Sequence, residues 1–113
     1  MYKVRAVYLA KENYHFDQDY YVSGHLPLAK KQLEGKVRIK RIDVERNVKT
    51  LAAGDGLISP CTVSIYIQTE ADLADFLRWL ESPDAAPLND DQANYTNCDI
   101  EWTIAEMEEF EGY

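Results

Sequence analysis

His25 has the clearest claim to chemistry in this chain. An imidazole with an ordinary pKa of about 6.5 gains and loses a proton near neutral pH, as a general acid or base must. It stands in the run Phe16-Asp17-Gln18-Asp19-Tyr20-Tyr21-Val22-Ser23-Gly24-His25-Leu26-Pro27-Leu28. Tyr21 and His25 are four residues apart, as are Phe16 and Tyr20, so in a helix each pair shares a face. The spacing of His25 with Leu28, Ala29, Gln32 and Leu33 turns it to the inner side of that helix. Two roles fit this position. One is a general acid or base in a small pocket between the helix and a sheet; the other is a core histidine satisfied by a backbone carbonyl freed at Pro27. Tyr20 and Tyr21 pose the same choice, as phenols that orient a ligand or as aromatic residues of core and rim. Asp17 and Asp19 suit a helix start, and His15 a solvated loop.

The elements that must hold these residues follow from periodicity. Residues 2–10 alternate Val4, Ala6 and Tyr8 against Lys3, Arg5 and Val7, which predicts strand one. Asp17 caps the first helix, and Pro27, which lacks an N–H and collides with the carbonyl of Ser23, predicts a kink over Gly24–Pro27. A second helical stretch then ends at Gly35. Val37–Val48 is β-prone, but its apolar residues change phase, which predicts a bulge near Arg41. A loop is expected from Lys49 to Pro60, with Gly54-Asp55-Gly56 as a turn; a strand follows, so the glycines do not cradle phosphate. Thr62–Gln68 reads as strand three. Thr69-Glu70-Ala71-Asp72 reads as a capping box before the helical stripe Leu73, Phe76, Leu77 and Leu80. Ser82–Asn97 is an irregular connection with one short helical turn, and Ile100, Trp102 and Ile104 mark strand four. The order βαββαβ is that of an α+β, ferredoxin-like sandwich, a four-stranded antiparallel sheet with helices on one face. The other face carries Thr62, Ser64, Tyr66, Gln68, Glu101 and Thr103, polar but sparsely charged, which suits a partly hydrated interface.

The run F-D-x-D-Y-Y-x-x-x-H-x-P-L resembles the first helix of the EthD family, named for ethyl tert-butyl ether degradation, in the dimeric α/β-barrel superfamily. Val44-Glu45-Arg46 is similar to the family's V-x-R strand, Cys61–Leu80 to its third strand and second helix, and Asp91-Gln92-Ala93-Asn94-Tyr95-Thr96 to its D-x-x-N-F-T segment. The resemblance covers residues 1–106, taken as one domain; the acidic tail 107–113 has no counterpart, and its Phe110 and Tyr113 are candidates to dock on a neighbour. It implies a homodimer closed sheet to sheet, His25 as the catalytic residue, and a carboxylate-binding role for Arg46, whose alternative is an ion pair in this acid-rich chain. Tyr20, Tyr21, Arg46, Tyr66 and Trp102 form the candidate substrate-binding set.

Bulk properties narrow the partners. With 113 residues there is one domain and no room for a separate cofactor domain. A net charge of −8 argues against nucleic acid and anionic membranes, whose phosphates reward lysine and arginine. Although 46% of residues are hydrophobic, no apolar run approaches the roughly 20 residues of a membrane span. Met1 leads straight into a strand pattern rather than a secretory signal, so the expected location is cytoplasmic. Cys61 and Cys98 are expected to be small buried residues, with a disulfide disfavoured in the cytoplasm and Cys98 open to exposure at a strand start. Two histidines at these spacings do not suggest zinc. Within these bounds the resemblance implies cofactor-free proton transfer (dehydration, isomerisation or ring closure) on a small apolar carbonyl or phenolic compound; the alternative is non-catalytic carriage of a small apolar ligand, with His25 as a hydrogen-bond partner only. Haem binding through His25, or monooxygenase chemistry, fits less well.

Overall fold

The computed structural model describes residues 1–52, 54 and 56–112. Asp55 of the glycine turn and Tyr113 of the tail lie outside the described residues. Along the chain run β1 (Tyr2–Tyr8), α1 (Gln18–Tyr20), a π-helical turn (Tyr21–His25), α2 (Leu26–Leu33), β2 (Arg41–Lys49), β3 (Leu57–Ile67), α3 (Glu70–Glu81), α4 (Ala86–Asp91) and β4 (Ile100–Glu106). The strands form one antiparallel sheet in the order β2-β3-β1-β4, the expected α+β, ferredoxin-like arrangement.

Alternation decides which face the helices cover. Val4, Ala6 and Tyr8 of β1 and Cys61, Val63, Ile65 and Ile67 of β3 are buried against Tyr21, Leu33, Leu73, Phe76 and Trp79. Thr69 caps α3 as expected, its hydroxyl accepting from the Asp72 N–H. Leu77 does not belong to the buried stripe: it is 39% exposed while Phe76 is 1% exposed.

Three boundaries differ from the sequence expectation. β3 begins at Leu57, so Pro60 lies inside a strand. It is tolerated because β1 ends opposite Cys61, and Asn47, across from Pro60 on β2, takes a left-handed φ of 54°. β2 begins at Arg41, and Val37 and Ile39 belong instead to the connection from α2, where they pack on the core. That transition explains the change of phase; the register shift lies at Val48/Lys49 rather than near Arg41. Finally, the disruption before Pro27 is a wide turn, with Leu26 N–H donating to the Tyr21 carbonyl. The widening gives room where the proline ring would meet the Ser23 carbonyl. α2 then stops as expected, with Gly35 at φ 76°.

Phe76→Ala is expected to cost about 3–5 kcal/mol, the usual loss for an aromatic core residue. Leu77→Ala one position on should change stability by no more than about 0.5 kcal/mol. Urea melts of the two variants check this facing of α3.

Candidate active site

The π-helical turn and the segment after α4 bring the polar groups together. His25 lies on the inner side of the turn, buried, with its ring stacked on Tyr21 at 5.2 Å and 21°. Its partner is a side chain, not the backbone carbonyl that the core alternative expected: Nδ1 is 2.9 Å from Asp91 Oδ2. The other carboxylate oxygen accepts from the Tyr20 hydroxyl at 2.6 Å and from Asn94 Nδ2 at 2.9 Å. On the far side of the imidazole, Nε2 faces the Tyr95 hydroxyl at 3.4 Å, and that hydroxyl lies 2.7 Å from the hydroxyl of Tyr8. Asp91, His25, Tyr95 and Tyr8 thus form a polar file through an aromatic core, in which Tyr8, Phe16, Tyr21 and Tyr95 meet pairwise at ring distances of 5.0 to 5.8 Å.

Local structure fixes the segment that delivers Asp91. It ends the short α4, and the following 3-10 turn Gln92–Asn94 folds Asn94 back onto it. Tyr95 and Thr96 are then clamped to the start of the first helix. Asp17 N–H donates to the Tyr95 carbonyl at 2.8 Å, the Thr96 hydroxyl donates to the His15 carbonyl at 2.7 Å, and Phe16 and Thr96 form an isolated β-bridge. Asp17 caps the helix itself, accepting from the Tyr20 N–H.

Electrostatics assign the protons. Burial lowers the His25 pKa and outweighs the opposing bond and charge of Asp91. For Asp91, burial pushes upward, but the bonds from Tyr20, Asn94 and His25 hold the carboxyl below its ordinary value. At neutral pH the pair is therefore a carboxylate beside a neutral imidazole, so Nδ1 carries the hydrogen and donates it to Asp91. Nε2 is left with its lone pair toward Tyr95, the arrangement of a base. Tyr8, Tyr21 and Tyr95 are held protonated, chiefly by burial.

Beside this file lies a cavity of about 80 Å³ between helices and sheet. Its walls include Tyr8, Tyr21, His25 and Tyr95 at the polar end, Leu33, Ile65, Phe76 and Leu88 beyond, and Trp102 from β4. Trp102, on the edge strand β4, remains 44% exposed.

Of the candidate residues, His25, Tyr21 and Trp102 share the cavity; Tyr20 is outside its lining and is linked to His25 through Asp91. Arg46 pairs across from Cys61 on the β2 side and is exposed, outside the cavity lining. Tyr66 is on the opposite sheet face, with the Arg41 guanidinium 4.3 Å from its ring centre and Lys3 at 5.8 Å. Asp91, Tyr95 and Tyr8 were not among the candidates. Their signal was present: Asp91 and Tyr95 lie in the segment similar to D-x-x-N-F-T, and Tyr8 is on the inward phase of β1. Both cysteines are buried and free; Cys98 is not exposed, and burial pushes the Cys61 thiol up to about 12. Among the described residues no cluster of three or more acidic, histidine or cysteine side chains suits a metal, and no helix is long and apolar enough to cross a membrane.

The fold resembles those of solved structures. An EthD-like protein from Ralstonia eutropha JMP134 superposes with a TM-score of 0.73 at 24% identity, over 93% of this chain and 89% of that one. An EthD family protein from Bacillus halodurans C-125 gives 0.62 at 17% identity, over 96% and 99%. A dimeric protein of unknown function with a ferredoxin-like fold, from Bacteroides fragilis NCTC 9343, gives 0.50 at 11%, over 94% and 95%. No family model and no curated protein matches the chain. At these identities the likeness shows a shared fold, and the resemblance to EthD proteins read from the sequence is borne out at that level.

The depressed His25 and Asp91 values set the acid sensitivity. A group whose folded pKa lies below its unfolded value stabilises above the unfolded value and loses that stabilisation as pH falls. For His25 the loss begins as pH drops below about 6.5, the ordinary imidazole value. The Tm should therefore fall as the pH drops below about 6.5, and His25→Gln should remove that part of the fall. Scanning calorimetry across this pH range reads both.

Proposed function

We propose that this chain is an EthD-family protein that performs cofactor-free proton transfer on a small, mostly apolar carbonyl or phenolic compound. The observation that carries it is the Asp91–His25 pair, with Nε2 directed to the Tyr95 hydroxyl at the polar end of an otherwise apolar cavity. In this reading His25 Nε2 removes a proton from the carbon next to a carbonyl. The electron pair of that C–H bond moves to the carbonyl oxygen, where the hydroxyls of Tyr8 and Tyr95 supply hydrogen bonds to the forming oxyanion. The imidazolium returns its proton to another carbon in isomerisation, or to a departing hydroxide in dehydration. Asp91 stays ionised, keeps the imidazole in the Nδ1–H tautomer and stabilises its cationic form. Trp102, Tyr21 and the aliphatic wall exclude water and select apolar substrates.

Deuterium incorporation from D₂O into small cyclic ketones and enones, followed by NMR, tests this directly. Wild-type protein should accelerate the exchange, and His25→Asn should slow it by on the order of 100-fold with the fold retained. Undiminished exchange in that variant overturns the catalytic role; ligand binding without exchange would favour the carrier.

We also propose that the protein works as a homodimer joined through the sheet face opposite the helices. On that face Thr62 and Ser64 are already buried, and the Arg5 Nε and Ser64 Oγ atoms, adjacent in the β1–β3 register, have no hydrogen-bond partner. A second sheet would supply one. Light scattering at micromolar concentration should give twice the 13.0 kDa chain mass, and a monomer would overturn this.

A further inference from the structure

Gly24 sits in the π-helical turn, where an interior glycine weakens a helix relative to alanine. Its φ is not in the left-handed region, so the backbone does not require it. What requires it is the ring of Tyr20. A Cβ at position 24 would stand 2.9 Å from Tyr20 Cε2 and 3.0 Å from Cζ. Cζ bears the hydroxyl that donates to Asp91 Oδ1 at 2.6 Å. The bare glycine is thus filled by the very end of the ring that grips the carboxylate. That carboxylate holds His25 with its other oxygen.

We infer that Gly24 is the seat that holds Tyr20 against Asp91, so that Gly24 and Tyr20 are positioning residues for the Asp91–His25 pair. Tyr20 and Gly24 occupy the face of the turn next to the one shared by Tyr21 and His25. The first pair secures the acid from outside while the second presents the base to the cavity. The ionisable groups around the imidazole are Asp91 from α4, Tyr21 from the turn, Tyr95 from the segment after α4 and, through Tyr95, Tyr8 from β1. Of these, only Asp91 changes its hydrogen bonding when Tyr20 moves.

The inference rests on the proton-transfer reading only for its effect on turnover, and its test needs no substrate. The His25 imidazole is titrated by NMR in wild type, Tyr20→Phe, Gly24→Ala and the double variant. Tyr20→Phe keeps the ring and removes the hydroxyl; Gly24→Ala keeps the hydroxyl and displaces it. Each should raise the His25 pKa by on the order of half a pH unit, because a carboxylate that loses a donor favours the imidazolium. The double variant should shift no further than either single one, since both remove the same bond. The inference is overturned if Gly24→Ala leaves the titration unchanged and raises the Tm, as for an ordinary helix glycine, or if the two shifts add. Should Gly24→Ala not fold, an unshifted imidazole in Tyr20→Phe overturns it alone.

Discussion

The hydrogen bond between His25 and Asp91 joins segments 66 residues apart, and most of the neighbouring architecture makes it possible. A buried carboxylate is costly without compensating partners. Asp91 has three, each from a short local element: Asn94 from a 3-10 turn, Tyr20 from a helix of one turn, and His25 from a helix turn widened ahead of a proline. The backbone clamp of Phe16, Asp17, Tyr95 and Thr96 then fixes the distance between the two segments. None of these elements is long enough to be a stable helix by itself. Their geometry is held by tertiary bonds.

The same residues serve the core. Among the described residues the buried apolar cluster that stabilises the fold also supplies most of the cavity walls. The phenols of Tyr8 and Tyr95 enter that cluster in series: the Tyr8 hydroxyl donates to that of Tyr95, which donates toward the unprotonated His25 Nε2, so neither donor is left unpaired. Their rings contribute packing, and their oxygens line up with the imidazole. A polar file in such a setting acts in a low dielectric, where each hydrogen bond is stronger than in water.

Much of the fold was legible in the sequence, because period-2 alternation on β1 and β3 and the capping box of α3 are local signals. The inward turn of His25 and its pairing with Tyr21 were legible for the same reason, being a matter of helical spacing. Asp91 was not. Its segment has two prolines and several Asn and Asp residues, which read as irregular connection, and its role depends on a contact with no local signature. The extra length of β3 was hidden by Pro60, normally a strand breaker, whose missing N–H falls beyond the end of β1. Tyr66 alternates as expected, but alternation alone does not say which face meets the cavity. The resemblance to EthD proteins matched the segment Asp91–Thr96 as part of the fold and gave no sign that it meets His25.

The sheet order gives the cavity a place in time as well as in space. β2 and β3 follow one another in sequence and pair locally, whereas β1 and β4 lie far apart in sequence and pair from Tyr2 opposite Glu106 to Tyr8 opposite Ile100. Closing a loop that long carries a large entropic cost before any contact offsets it, so β4 is the natural last strand to dock. Trp102 arrives with it. The β2–β3 pair and the helices can assemble ahead of that strand, and the apolar cleft beside His25 stays open along one edge until β4 docks. A form of the molecule in which β4 has not yet docked therefore presents Leu33, Ile65, Phe76 and Leu88 at an open edge, where they can meet other apolar surfaces.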